Sequence, residues 1–311
     1  MRKTLWICLL AIFVTACGGR DGDQNGPAPI VVTIEPLRLI VAEIVGDRMP
    51  VVRLMDPAAS PHTYEPRPSD MAAARRAVAL FFVDPNLDGW AARIAANNKT
   101  SVFDLVPPSS RRTLTDSGTL FIEDEAAHEG HDHAHHDHAH DHEGADPHFW
   151  TDPLVVAALA PVLAAELGRL DPANAAHFQE RAEAMAAGLR QLDEELAIAL
   201  KPHRGAAVIL FHPSFHYFAF RYGLEVPAVV EPSPGKEASI AYLRRIGEIA
   251  RERQVRLIAT EPQLARRPAE VVAEATGLPL VELDPLGALG DPRVIGDLIR
   301  FNAMVIREAL E

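Results

Sequence analysis

The chain has 311 residues, 48% of them hydrophobic, so it can bury a large core, and its formal net charge of −13 comes without any Lys/Arg cluster interleaved with aromatics. That balance argues against a nucleic-acid partner, and acidity by itself speaks only for solubility. The two cysteines, Cys8 and Cys17, both sit near the N-terminus, so a thiolate metal site in the body of the chain is excluded and any metal there must be held by His, Asp or Glu.

The first segment is "MRKTLWICLLAIFVTACGG", with Arg2 and Lys3 followed by an apolar run from Leu5 to Val14. This is short for a membrane-spanning helix and reads as a secretory signal over residues 1–16. Its end, "VTAC", resembles a bacterial lipobox with Cys17 as the lipidated residue, an ordinary signal cut near Ala16 being the alternative. Residues 17–29, polar and punctuated by Gly and Pro, form a lipidated tether. The expected location is extracytoplasmic, in the periplasm or at the cell surface, anchored to the membrane through Cys17. With Cys8 removed and Cys17 lipidated, no disulfide remains.

From Ile30 the pattern alternates. "IVVTIEPLRLIVAEIVG" (30–46) predicts a strand leading into a helix, "MPVVRLM" (49–55) a second strand, and "PSDMAAARRA" (68–77) a capped helix. "VALFFVD" (78–84) and "TSVFDLV" (100–106) read as buried strands. A run dominated by His, Asp, Ala and Gly then interrupts, with eight histidines between His128 and His142. Two helices are predicted after it, over 152–171 and 172–200, the second opening with Pro172 after Asp171. Further on, 206–212, 255–262 and 278–287 read as strands, 222–230 follows as an apolar run, and 239–254, 267–277 and 291–311 read as helices. Strands alternating with helices imply parallel α/β sheets. The division is an N-terminal α/β lobe over 30–150 with a histidine-rich loop at 124–145, helices including a long linking one over 151–200, and a C-terminal α/β lobe over 201–311.

Three isolated histidines and one aspartate stand at element ends. His62 lies in "SPHTYEP", His148 in "DPHFW", His212 in "LFHPSF" and Asp284 in "ELDPLG". In open parallel sheets, ligands bind beyond the carboxyl ends of the strands. Two candidates come from each half, which predicts a site between the lobes. Three imidazoles and a carboxylate suit tetrahedral zinc at about 2.0–2.1 Å; imidazole also accepts Cu or Ni, and a more carboxylate-rich set favours manganese. Glu65 and Glu261, in the same segments, are candidates for orienting an imidazole N–H. His216, in the apolar "FHYF", reads as a packed residue with a spare-ligand alternative.

"PHTYEPRPSD", "DPHFWTDP", "FHPSFHYFAFRYGL", "EPSPGKEASIAYL", "TEPQ" and "ELDPLG" together resemble the motif series of the zinc-binding solute-binding proteins of bacterial ABC metal importers. The match runs in order from about Ile30 to the C-terminus. It implies two lobes, each with a four-stranded parallel sheet flanked by helices, joined by one long rigid helix, with the metal in the cleft. It implies His62, His148 and His212 as the three histidine ligands and Asp284 at the carboxylate position. Some zinc members use a Glu beside the first histidine; here that neighbour is Pro61, which leaves Asp284 or water as the fourth ligand. Zinc members often carry a His/Asp-rich loop before the second ligand, as this chain does.

The histidine run (His128, His131, His133, His135, His136, His138, His140, His142) cannot bury a core and is expected to be disordered. Ordering it around metal costs chain entropy, so weaker, exchangeable sites are expected there beside one tight Zn²⁺ in the cleft. It would capture zinc, directly or from a periplasmic donor, and pass it inward; a solvated spacer is the bland alternative. The expected function is a high-affinity zinc receptor, monomeric, docking on an ABC permease with its ATPase and catalysing nothing. A manganese receptor and a zinc store or adhesin are the alternatives. A hydrolase is disfavoured, since "HEGH" is one residue short of H-E-x-x-H and no separate general base is evident.

Overall fold

The computed structural model describes residues 28–94, 98–113, 145–232 and 238–311. The predicted signal, the tether as far as residue 27 with Cys17, and the histidine-rich run lie outside these residues.

The N-terminal sheet contains β1 (Ile30–Val32), β2 (Val51–Arg53), β3 (Ala79–Phe82) and β4 (Lys99–Ser101), all parallel in the order β2-β1-β3-β4. β1 and β3 are central and wholly apolar, as strands covered on both faces must be. The connections are helical: α1 (Glu35–Val45), α2 (Pro68–Arg76), then the short α3 (Pro85–Asp88) and α4 (Trp90–Ile94). The strand expected over 100–106 is shorter, because the chain turns into a 3-10 helix at Phe103–Leu105.

α5 (Pro153–Leu170) is capped by the Asp152 carboxylate, which accepts from the Leu154 N–H. It packs along α6 (Ala175–Leu200), whose 26 residues span roughly 39 Å at about 1.5 Å each. Pro172–Asn174 forms a 3-10 turn ahead of α6, so the long helix starts three residues later than its proline suggests.

The C-terminal half contains β5 (Val208–Leu210), α7 (His216–Tyr222), α8 (Ile240–Glu252), β6 (Leu257–Thr260), α9 (Arg267–Thr276), β7 (Leu280–Glu282) and α10 (Ile295–Leu310). Here the expectation of four strands needs correction. Among the described residues this sheet has three parallel strands, β5-β6-β7. The fourth position is occupied by the 225–230 segment, which makes only isolated parallel bridges, Ala207 with Glu225 and Leu210 with Val229. Pro227 lies between those bridges and has no N–H to give to a ladder.

The main apolar cluster includes residues from both halves, among them Leu37, Phe149, Leu189, Leu210, Leu283 and Leu298, so the lobes share one core; a smaller cluster lies under the C-terminal sheet. At the carboxyl edge of the N-terminal sheet, the fully buried Asp88 accepts from Thr33 Oγ1 (2.6 Å) and from the Val83 and Asp84 N–H groups (both 3.0 Å), tying the ends of β1 and β3 together. Replacing Asp88 with Ala leaves these donors buried and unmatched. The substitution is expected to lower the unfolding free energy by about 3 kcal/mol, measured by denaturant titration; a loss below about 0.5 kcal/mol would show that the edge does not depend on it.

Candidate metal site

His62, His148 and His212 converge. His62 follows β2 in a turn, His148 immediately precedes the 3-10 turn Phe149–Thr151, and His212 follows β5 in extended conformation before Pro213. Their ring centroids are 5.8 Å (62–148), 4.8 Å (62–212) and 5.2 Å (148–212) apart, and one nitrogen from each lies within 4.8 Å of the others. The His62 and His212 Nε2 atoms are 3.1 Å apart, close to the ~3.3 Å separation that two ligands take around a tetrahedral zinc. The site is unusual in that two such nitrogens facing each other need either a proton or a cation between them.

The far sides of two rings fix which nitrogen points inward. His148 Nδ1 lies 2.7 Å from Asp146 Oδ1, which also accepts the His148 backbone N–H at 2.9 Å. A carboxylate there demands an Nδ1–H, leaving Nε2 as the lone-pair nitrogen. His212 Nδ1 faces the Glu231 carbonyl at 3.4 Å, a longer contact of the same sense. Burial pushes the His62 imidazole down to about 3, with the His148 ring adding to the effect, and burial holds His212 well below the ordinary histidine range. Burial therefore favours the neutral form of His62 and His212, which is the ligating form.

The remaining candidates divide. Glu261 lines the same cavity as the triad and is buried, with its Oε1 accepting from Ser214 Oγ at 2.6 Å. Burial, reinforced by the Asp284 and Glu231 charges, pushes its carboxyl up to about 8. Glu65 is exposed and stands apart. Asp284 is fully buried beyond β7, yet its carboxylate is not among the converging atoms. It accepts from the Leu289 N–H (2.7 Å), the Leu286 N–H (3.2 Å) and Gln263 Nε2 (3.2 Å), while Asn302 bonds its backbone on both sides. His216 opens α7 rather than sharing a helical face with His212; it is buried, and burial lowers it to about 4. Asp146 was not singled out from the sequence, although D-x-H is the spacing at which a carboxylate can reach back to its histidine. Trp150 was also passed over; its indole N–H donates to the Pro285 carbonyl at 2.9 Å and joins the His148 segment to the Asp284 loop.

Residues 30–309 match the family described as zinc-uptake complex component A, periplasmic. The chain belongs to this family. The high-affinity zinc uptake system protein ZnuA of Paracoccus denitrificans is 33% identical over 329 residues, covering 96% of this chain and 97% of that protein. A solved structure of ZnuA superposes with a TM-score of 0.73 at 28% identity, covering 92% of this chain and 100% of that one. A zinc-bound 138–173 deletion mutant of ZnuA gives 0.73 at 26%, covering 92% and 99%. As a member of the zinc-uptake component A family the chain is an extracytoplasmic metal-binding receptor for an ABC importer and not an enzyme.

The depressed imidazoles make a signed prediction. In the metal-free fold they stay neutral, whereas in the unfolded chain they take up protons below about pH 6.5. Their contribution to stability is present above that pH and is lost as pH falls toward the folded values. The buried acids Asp88, Asp152 and Glu261, raised to about 6, about 6 and about 8, run the opposite way, so the histidines are isolated by difference. Between pH 7.5 and 5, a His62→Gln/His212→Gln variant should gain about 1–3 kcal/mol relative to wild type; a flat difference would mean the rings titrate normally. Separately, Asp146→Ala should weaken zinc binding about 10–100-fold in chelator competition, and unchanged affinity would show that the Asp146 contact does not orient the ligand.

Proposed function

We propose that the chain is a high-affinity Zn²⁺ receptor that holds one ion at His62, His148 and His212 and delivers it to an ABC permease. The observation that carries this reading is the convergence of three imidazole nitrogens at the junction of the two lobes. An all-nitrogen triad suits zinc better than manganese, which prefers carboxylates. The fourth position falls to Asp284 or to water; Asp284 would first have to exchange the Leu286 and Leu289 N–H groups for the cation. Glu261, carrying a proton near neutral pH, supports the cavity rather than adding a charge to it.

In this reading the mature chain is monomeric and starts at a lipidated Cys17, with lobes at 30–150 and 201–311 and the helices at 151–200 as the link. The histidine-rich stretch collects zinc at weaker sites, from solution or a periplasmic donor. Its position favours that role: Thr113 bridges Ala145, and the Asp146 N–H donates to the Arg112 carbonyl at 2.8 Å. The residues that flank the stretch therefore meet three positions before His148.

The test is zinc stoichiometry and affinity by chelator competition for wild type, a 128–142 deletion, and a His62→Ala/His148→Ala/His212→Ala variant. The deletion should keep one tight zinc and the triple variant should lose it by at least 100-fold. Retention of the tight ion by the triple variant and its loss in the deletion would move the receptor site to the histidine run. Tighter manganese than zinc on wild type would make the chain a manganese receptor.

A further inference from the structure

Gln263, in the loop after β6, lines the same cavity as the three histidines. Its Nε2 donates to the Pro57 carbonyl at 2.8 Å and to Asp284 Oδ1 at 3.2 Å. The two acceptors belong to different lobes. Pro57 lies on the segment between β2 and α2 that carries His62, and Asp284 lies beyond β7. Both amide hydrogens are thus committed, and the orientation of the amide is fixed: flipped, its oxygen would face a carbonyl and a carboxylate.

The His62 segment has few other attachments. At its start, the Leu54 and Met55 N–H groups donate to the Val32 and Thr33 carbonyls. At its end, Tyr64 Oη donates to Asp70. In between, the hydrogen bonds are those of its own turn, Ala58 and Ala59 to Asp56. Among the described residues, the only hydrogen bonds from residues 56–63 to the C-terminal lobe are Gln263–Pro57 and the approach of His62 to His212.

We propose that Gln263 is a latch between the lobes, a positioning residue that sets how long a bound ion stays. The inference rests on the zinc-receptor reading of the histidine triad. An ion cannot leave three converging imidazoles until one ligand-bearing segment withdraws. The His62 segment is the one held across the cleft by a single side-chain amide. Withdrawal breaks the Pro57 bond, and the same amide keeps one Asp284 oxygen fixed while the segment is docked. Losing a half-buried hydrogen bond of this kind should speed release by about tenfold and leave the number of ions bound unchanged.

The experiment measures zinc transfer from the purified, zinc-loaded chain to an excess of chelator by stopped flow, for wild type, Gln263→Met and Gln263→Glu. Met keeps the length without hydrogen bonding; Glu keeps the shape, cannot donate to Pro57 and opposes Asp284. Zinc stoichiometry and the melting temperature of the metal-free protein are recorded alongside. The expected result is one zinc per chain throughout, release about tenfold faster in both variants, and metal-free melting within about 2 °C of wild type. Should Met lower that melting temperature further, the decision passes to the Glu variant and to hydrogen exchange of the zinc-loaded protein, where amides in residues 56–63 should exchange faster than in wild type while the α5 and α6 amides do not. Wild-type release rates with one zinc bound would overturn the latch and leave the triad reading intact. Failure of wild type to bind one zinc would overturn the triad reading, and the latch with it.

Discussion

Three imidazoles drawn together at the junction of the two halves are the condition on which the rest of this structure depends. Left to themselves, such rings would seek water and protons, and their lone pairs repel one another where they meet. The protein removes water through the apolar shell of Trp150, Pro285 and Leu286 and uses acceptors behind His148 and His212 to hold the inward nitrogens bare. Both measures are unfavourable to an isolated apoprotein and favourable to one that meets a cation. Of the nearby carboxylates, Asp146 stands behind His148 rather than between the rings, Asp284 is bonded by its own loop, and burial raises the Glu261 carboxyl to about 8.

The architecture supplies the rigidity this arrangement needs. Each histidine enters at an element end: a turn after β2, a turn before α5, the last extended residue after β5. The tie made by Asp88 steadies the sheet edge from which the His62 segment departs. The shared core between the halves, with α5 and α6 lying along it, leaves little freedom for wholesale separation. On the proposed triad, motion that admits or frees an ion is therefore expected in the segments that carry the three histidines, not in the sheets.

Much of this was legible in the sequence because it rests on local signals. Apolar runs marked β1, β3, β5 and β6, prolines and small polar residues marked the helix starts, and His62, His148 and His212 stood out as lone histidines beside Pro-marked turns. What escaped depended on long-range geometry. Pro227 gave a cue against a regular fourth strand, but only pairing with β5 shows that the segment still fills that place by isolated bridges. Asp284 was correctly placed at a strand end, yet its neighbours Leu286 and Leu289 occupy its oxygens, which no spacing reveals. Asp146 stands two residues before His148, but a D-x-H spacing alone does not show that the carboxylate turns back onto the ring. Gln263 owes its position to Pro57, 206 residues away in sequence.

The antiparallel bridge between Thr113 and Ala145 has a practical side. The bridge brings together the two residues that flank the intervening stretch, and the entropy of closing a chain grows slowly with length, by roughly 0.6 kcal/mol per doubling. That makes the junction a natural graft point. A fluorescent reporter or an affinity module joined beside Ala145 would sit three residues from His148, and on the proposed triad the occupancy of the site could be converted into an optical signal.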